Sequence, residues 1–149
     1  MRQLISTILT LVAIVIFASC GGGGSRSIEM HDRYGSVWFD TEEFVYDNSD
    51  TLYRRNISIT VRYDGDYVSD SVPLKILTVS PDSMVYEEDF KLHIPHLADM
   101  RPDEHTFIYR SNVLLKRSGE YRFRITPLEP IDGIASVRLI VDERPSFNE

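Results

Sequence analysis

"NISITVRY", residues 56–63, decides the fold. Ile57, Ile59, Val61 and Tyr63 fall on one side of an extended chain, and Asn56, Ser58, Thr60 and Arg62 on the other. Period-two alternation built from β-branched and aromatic residues marks a half-buried antiparallel strand. "EYRFRIT", residues 120–126, repeats the pattern with Tyr121, Phe123 and Ile125 set against Glu120, Arg122, Arg124 and Thr126. Outward from these two, residues 37–46 (with a break near Thr41), 72–79, 85–94, 106–115 and 135–141 also read as strands. Asp64-Gly65-Asp66, Ser80-Pro81-Asp82-Ser83, Ser118-Gly119 and Asp132-Gly133 supply the turns between them.

No segment carries a sustained 3.6-residue apolar stripe. Residues 97–104, bracketed by Pro95 and Pro102, fit a short helical turn or irregular loop. The expectation is an all-β domain over 34–144: an immunoglobulin-like or jelly-roll-type antiparallel β-sandwich of about seven to eight strands. Residues 145–149 form a C-terminal tail. Ser118-Gly119-Glu120-Tyr121, entering a strand, resembles the tyrosine corner of immunoglobulin-like sandwiches.

The N-terminus reads differently. One basic residue, Arg2, precedes an apolar run over 4–18 whose only polar members are Ser6, Thr7 and Thr10. That run is shorter than the roughly 20 residues a spanning helix needs and fits a signal peptide over 1–19. Phe17-Ala18-Ser19-Cys20 resembles a bacterial lipobox. The resemblance implies cleavage before Cys20 and acylation of its thiol and new amino group, a palmitate-type lipid anchor. Cys20 is the sole cysteine, so its acylation leaves no thiol for a disulfide, a metal or a nucleophile. Gly21 to Gly24 and Ser25-Arg26-Ser27 then read as a flexible linker over 20–33.

With 16 basic and 23 acidic side chains the chain carries a net charge of −7. That balance argues against nucleic acid, whose phosphates are bound by Lys and Arg. Asp40, Glu42, Glu43, Asp47 and Asp50 read as a solvated strand face, lacking calcium-loop spacing. His93 and His96 are separated by Pro95, and nothing brings them together with His105 or His31, so no metal or cofactor is expected. No nucleophile elbow, phosphate loop or dinucleotide fingerprint is present, and a non-enzymatic protein is expected. Trp38, Tyr34 and Tyr67 fall near loops or strand ends, where flat rings could contact a partner or stack on a glycan. For Trp38, a place in the core is the favoured reading.

The order of these features resembles the GldH family of gliding-motility lipoproteins of Bacteroidota, over about residues 20–142. The lipobox cysteine is followed by Tyr34, Trp38, the acidic strand, "NISITVRY", a Pro81-Asp82 turn and "IPHLAD" at 94–99. The chain then closes with "GEYRFRI" at 119–125 and "GIASVRL" at 133–139, the most specific part. Tyr63-Asp64-Gly65-Asp66-Tyr67 stands where the family carries an Arg-Asn-containing turn, and 84–110 diverges. The resemblance implies a non-enzymatic outer-membrane lipoprotein of the gliding motility and type IX secretion machinery, with protein partners in the cell envelope. The glycines after Cys20 lack an acidic surface-export cluster, which favours the periplasmic face over the cell surface. The alternative is a surface carbohydrate-binding lipoprotein of a glycan-uptake system.

Overall fold

The computed structural model describes residues 26–32, 37–64, 67, 69–94 and 104–144. The signal peptide, Cys20, Tyr34, His96 and the 145–149 tail lie outside these residues. Ten strands follow one another: β1 (Arg26–Asp32), β2 (Val37–Trp38), β3 (Glu42–Asn48), β4 (Arg54–Tyr63), β5 (Ser71–Val79), β6 (Val85–His93), β7 (Glu104–Leu114), β8 (Gly119–Pro127), β9 (Ile131–Asp132) and β10 (Ile134–Arg144). They form a sheet in the order β1-β10-β4-β7, a second in the order β3-β8-β5-β6, and a short β2-β9 ribbon. Every pairing is antiparallel.

Setting the ribbon aside, the eight long strands pair from the outside in. The first pairs with the last (β1 with β10), then β3 with β8, β4 with β7, and β5 with β6. This is a long hairpin rolled into two four-stranded sheets, the jelly-roll arrangement rather than the immunoglobulin one. The expected β-sandwich is present, and the strand order selects between its two forms.

The alternation in the sequence explains the core. Ile57, Ile59 and Val61 of β4 stand opposite Val141, Leu139 and Val137 of β10, so their side chains share one face. Against them pack Phe44, Phe123, Ile125, Leu74, Ile76 and Leu92 from the second sheet, all buried. Fully burying a side chain of this size contributes about 1.5–3 kcal/mol, so this interior supplies the fold's main driving force.

Four readings need correction. The flexible linker does not extend to residue 33, because Arg26–Asp32 is β1 and pairs with Ser136 to Asp142. Its inward positions are Ser27, Glu29 and His31, so it shows no apolar alternation. What holds it are polar bonds: the Glu29 carboxylate accepts from the Val45 amide at 2.7 Å, and the His31 ring stacks on Phe44 and meets Glu42 Oε2 at 2.9 Å. The acidic run is therefore split. Glu42 faces His31, while Glu43 lies outside with Arg122 and Arg124. The polar side of β4 is not solvated at Asn56, Ser58 and Thr60, which are buried beneath their neighbours on β10 and β7. There Thr60 and Thr106 share a hydroxyl hydrogen bond of 2.8 Å.

The fourth correction concerns the aromatic candidates. Trp38 is fully buried and Tyr67 is 1% exposed, so neither ring offers a face for a glycan or partner. The Trp38 indole donates to the Asp40 carbonyl at 2.8 Å, and the Tyr67 hydroxyl donates to the Ser71 carbonyl at 2.8 Å. Each ring fills the core while its polar atom finds backbone at the margin. Gly133 makes room for this packing: at φ +79° an added Cβ would lie 2.5 Å from the Tyr67 amide nitrogen.

Candidate functional site, a cleft between two open sheet edges

The first sheet ends at β7 and the second at β6, so on the same side of the molecule each has one strand edge without a sheet partner among the described residues. Between these edges lies a cleft of about 550 Å³. Ligand pockets typically enclose about 300–1,000 Å³. Irregular pairing shapes it. The β4–β7 register slips twice, between Arg55 and Ile57 and again between Ile57 and Ser58. Asn112 adopts φ +58° there, with its amide donating to Asn56 Oδ1 at 2.9 Å. Bulges of this kind bend a strand and re-aim its side chains. Tyr109 keeps the inward face that His105 and Phe107 set before the slip, and packs edge-on to Phe90, 5.7 Å between centroids.

Apolar side chains line the depth of the cleft: Ile57, Phe123, Tyr121, Val113 and Leu115. Tyr86 and Met84, both exposed, stand at its mouth. The carboxylates are engaged with neighbouring donors. Glu88 accepts from the Tyr109 hydroxyl and from Arg110, which closes one end of the opening between β6 and β7. The Arg110 hydrogen bond, followed by that of Tyr109 against the cost of burial, holds the Glu88 carboxyl below its ordinary range. Burial, with the Glu88 bond second, pushes the Tyr109 phenol up to about 12. At the other end Arg117 meets Asp82 at 2.9 Å, and Ser80 Oγ donates to the same carboxylate. The Ser80 bond first and Arg117 next lower the Asp82 pKa.

The 115–118 turn is fixed from behind. Asn48 Nδ2 donates to the carbonyls of Leu115 and Arg117, at 3.0 and 2.7 Å. The Arg117 amide donates to the Tyr121 hydroxyl at 3.2 Å. The tyrosine-corner hydrogen bond thus exists, transplanted into a jelly roll. A rigid rim around an apolar interior can bind, and its paired carboxylates are committed to holding the rim.

Comparison with known proteins adds little here. No family model matches the chain, and no curated protein matches it. Among solved structures, dimeric latent PorU from Porphyromonas gingivalis aligns with a TM-score of 0.37 and 9% identity. That alignment covers 85% of this chain and 13% of the other. A likeness at this level carries no argument about fold or function.

Of the contact residues chosen from the sequence, Trp38 and Tyr67 do not line the cleft. Tyr86, Met84 and Tyr109 do, yet in the sequence they are ordinary members of edge strands. Only the strand order reveals that residues 84–88 and 109–117 face one another.

Proposed function

We propose that this protein is a non-enzymatic, lipid-anchored binding module of the outer membrane, acylated at Cys20 and facing the periplasm. In this reading it belongs with the GldH-type lipoproteins and serves the gliding motility and type IX secretion machinery as an assembly component. The observation that carries the reading is the cleft: an apolar interior flanked by two open strand edges, with Met84 and Tyr86 exposed at its mouth. An extended polypeptide can add to such an edge through backbone hydrogen bonds while its side chains fill the adjoining pocket. The glycan reading loses two of its three candidate rings to the core, Trp38 and Tyr67.

A photo-crosslinker replacing Tyr86 in the membrane-anchored chain tests this. The expected result is an adduct with an envelope polypeptide of the secretion or motility machinery, abolished when Val113→Trp fills the cleft. Adducts that persist with the cleft filled, or glycan alone at this position, would overturn the reading. Separately, Cys20→Ala is expected to lose palmitate incorporation and membrane fractionation.

A further inference from the structure

One end of the sandwich gathers β1's first residue, Arg26, with three connections: 49–53, 80–84 and 115–118. The pairings set this, since Arg26 lies beside Asp142, Arg54 beside Leu114, Asn48 beside Gly119 and Val79 beside Val85. The connections are cross-braced by Asn48 to the Leu115 and Arg117 carbonyls and by Arg117 to Asp82.

Here the chain exposes large apolar side chains on an ordered support. Leu52 is 76% exposed, Tyr53 43% and Met84 52%. The loop beneath Leu52 is pinned from inside. Buried Arg55 donates to the carbonyls of Tyr53 and Asp50 at 2.6 Å each, and the Asp50 carboxylate accepts from the Leu52 amide at 2.7 Å. An apolar tip held outward by a buried guanidinium is solvated only at a cost, which burial in another phase removes.

Charge at this end points the same way. Asp82, Asp142 and Glu143 are neutralised by Arg117, Arg26 and Arg55. Arg54 and Lys116, by contrast, have no carboxylate partner among the described residues.

We infer that this end docks on the phospholipid surface: Leu52, Tyr53 and Met84 enter the headgroup–acyl boundary, and Arg54 and Lys116 meet lipid phosphates. The length of chain ahead of β1 selects the membrane as occupant. Cys20 precedes Arg26 by six residues, which span at most roughly 20 Å when extended, so an acylated Cys20 holds this end within reach of the bilayer. The inference rests on the anchor reading above. A lipid anchor and a shallow apolar insertion act together as two membrane signals, fixing the domain's orientation where a lone tether would leave it free to turn.

The test uses the acylated full-length product reconstituted in phosphatidylethanolamine–phosphatidylglycerol vesicles. Because Cys20 is the only cysteine and acylation blocks its thiol, a single introduced Leu52→Cys, Met84→Cys or Leu128→Cys takes an environment-sensitive fluorophore alone. Leu128 is exposed at the opposite end, where its amide donates to the Pro73 carbonyl. Expected are a blue shift and loss of emission to brominated lipid at positions 52 and 84, with neither at 128. No lipid quenching at 52 and 84, or quenching at all three positions, overturns the inference. So does shielding from aqueous iodide at 52 and 84 without lipid quenching, which would assign the surface to a protein partner. Intact mass read first separates the two failures: absence of acyl groups on Cys20 sinks the anchor reading, and the inference with it. Acylated protein with unquenched probes sinks the inference alone.

Discussion

Replacing Arg55 with methionine should remove a large share of the domain's stability. Arg55 is fully buried, and its guanidinium makes four polar contacts: to the Tyr46 hydroxyl at 2.7 Å, the Tyr53 and Asp50 carbonyls, and Glu143 at 3.1 Å. Methionine keeps most of the volume and none of the donors. The Tyr46 and carbonyl oxygens lose a charged donor, and the Glu143 carboxylate, 16% exposed, loses the Arg55 guanidinium 3.1 Å away. A hydrogen bond to a charged group contributes about 1.5–3 kcal/mol, so four contacts set a ceiling that water re-entry at the 50–53 loop will lower. Breaking a buried ion pair from one side costs about 3–5 kcal/mol, and that is the loss expected. For a domain of this size each kcal/mol moves the melting temperature by about 4 °C, giving a fall of roughly 12–20 °C. Thermal unfolding of the purified chain by circular dichroism measures it, with Arg122→Ala as comparison. Arg122 pairs with Glu43 and Glu120 but is 46% exposed, so solvent screens both pairs and its removal should barely move the transition. The reasoning fails if Arg55→Met and Arg122→Ala unfold within a degree or two of each other. A further check is Arg55→Met with Glu143→Gln, which should recover part of the loss because a neutral amide depends less on the missing guanidinium.

Three more outcomes can be measured. The Glu43, Asp82 and Glu88 carboxyls sit below their ordinary values of 4.5, 3.8 and 4.5, held there chiefly by Arg124, Ser80 and Arg110 respectively. Their ionised forms are favoured in the fold, so their contribution is present above those values and drains away as pH falls below them. The urea midpoint should therefore drop between pH 5 and about pH 3, and Arg110→Gln should flatten that drop. Tyr109 behaves in the opposite sense: with its pKa raised from 10.0 to about 12, its contribution is complete below 10 and lost on the way to 12. Ultraviolet tyrosinate absorbance should show late-titrating rings, of which the Tyr109 component disappears in Tyr109→Phe while Tyr46, also raised by burial, remains. Gly133→Ala should cost more than about 2 kcal/mol, since it combines a positive φ with a Cβ 2.5 Å from the Tyr67 nitrogen. Gly119→Ala shares the backbone strain, at φ +116°, but its Cβ would meet only the Pro81 ring at 3.2 Å, so it escapes the steric clash and should cost less.

The long strands were legible because their apolar positions alternate and their turns are marked by Gly, Pro and Asp. "NISITVRY" and "EYRFRIT" became β4 and β8, each an inner strand of its sheet. The strands that escaped were those whose pairing is driven by something other than apolar alternation. β1 is held by Glu29 and His31, and β9 is only two residues long. Alternation also misjudged the second side of β4. It reports which residues face the core, but not that Ile28, Met30 and Ile108 stand around the small polar ones on the far side. The cleft was illegible for a topological reason. Its walls come from β6 and β7, whose meeting depends on how the hairpin rolls, and the register slips that shape β7 beyond Tyr109 are announced by no local pattern.

The clasp between the first strand and the last has a mechanical consequence. β1 runs beside β10 over seven residue pairs, from Arg26 opposite Asp142 to Asp32 opposite Ser136. Antiparallel ladder bonds lie perpendicular to the strands. A tug on residue 26 along the strand axis, with the body of the domain held at its far end, therefore loads all seven pairs together in shear. A tug from the side would instead peel them one at a time. A load applied ahead of Arg26 along the strand axis would therefore meet this seam in its resistant direction.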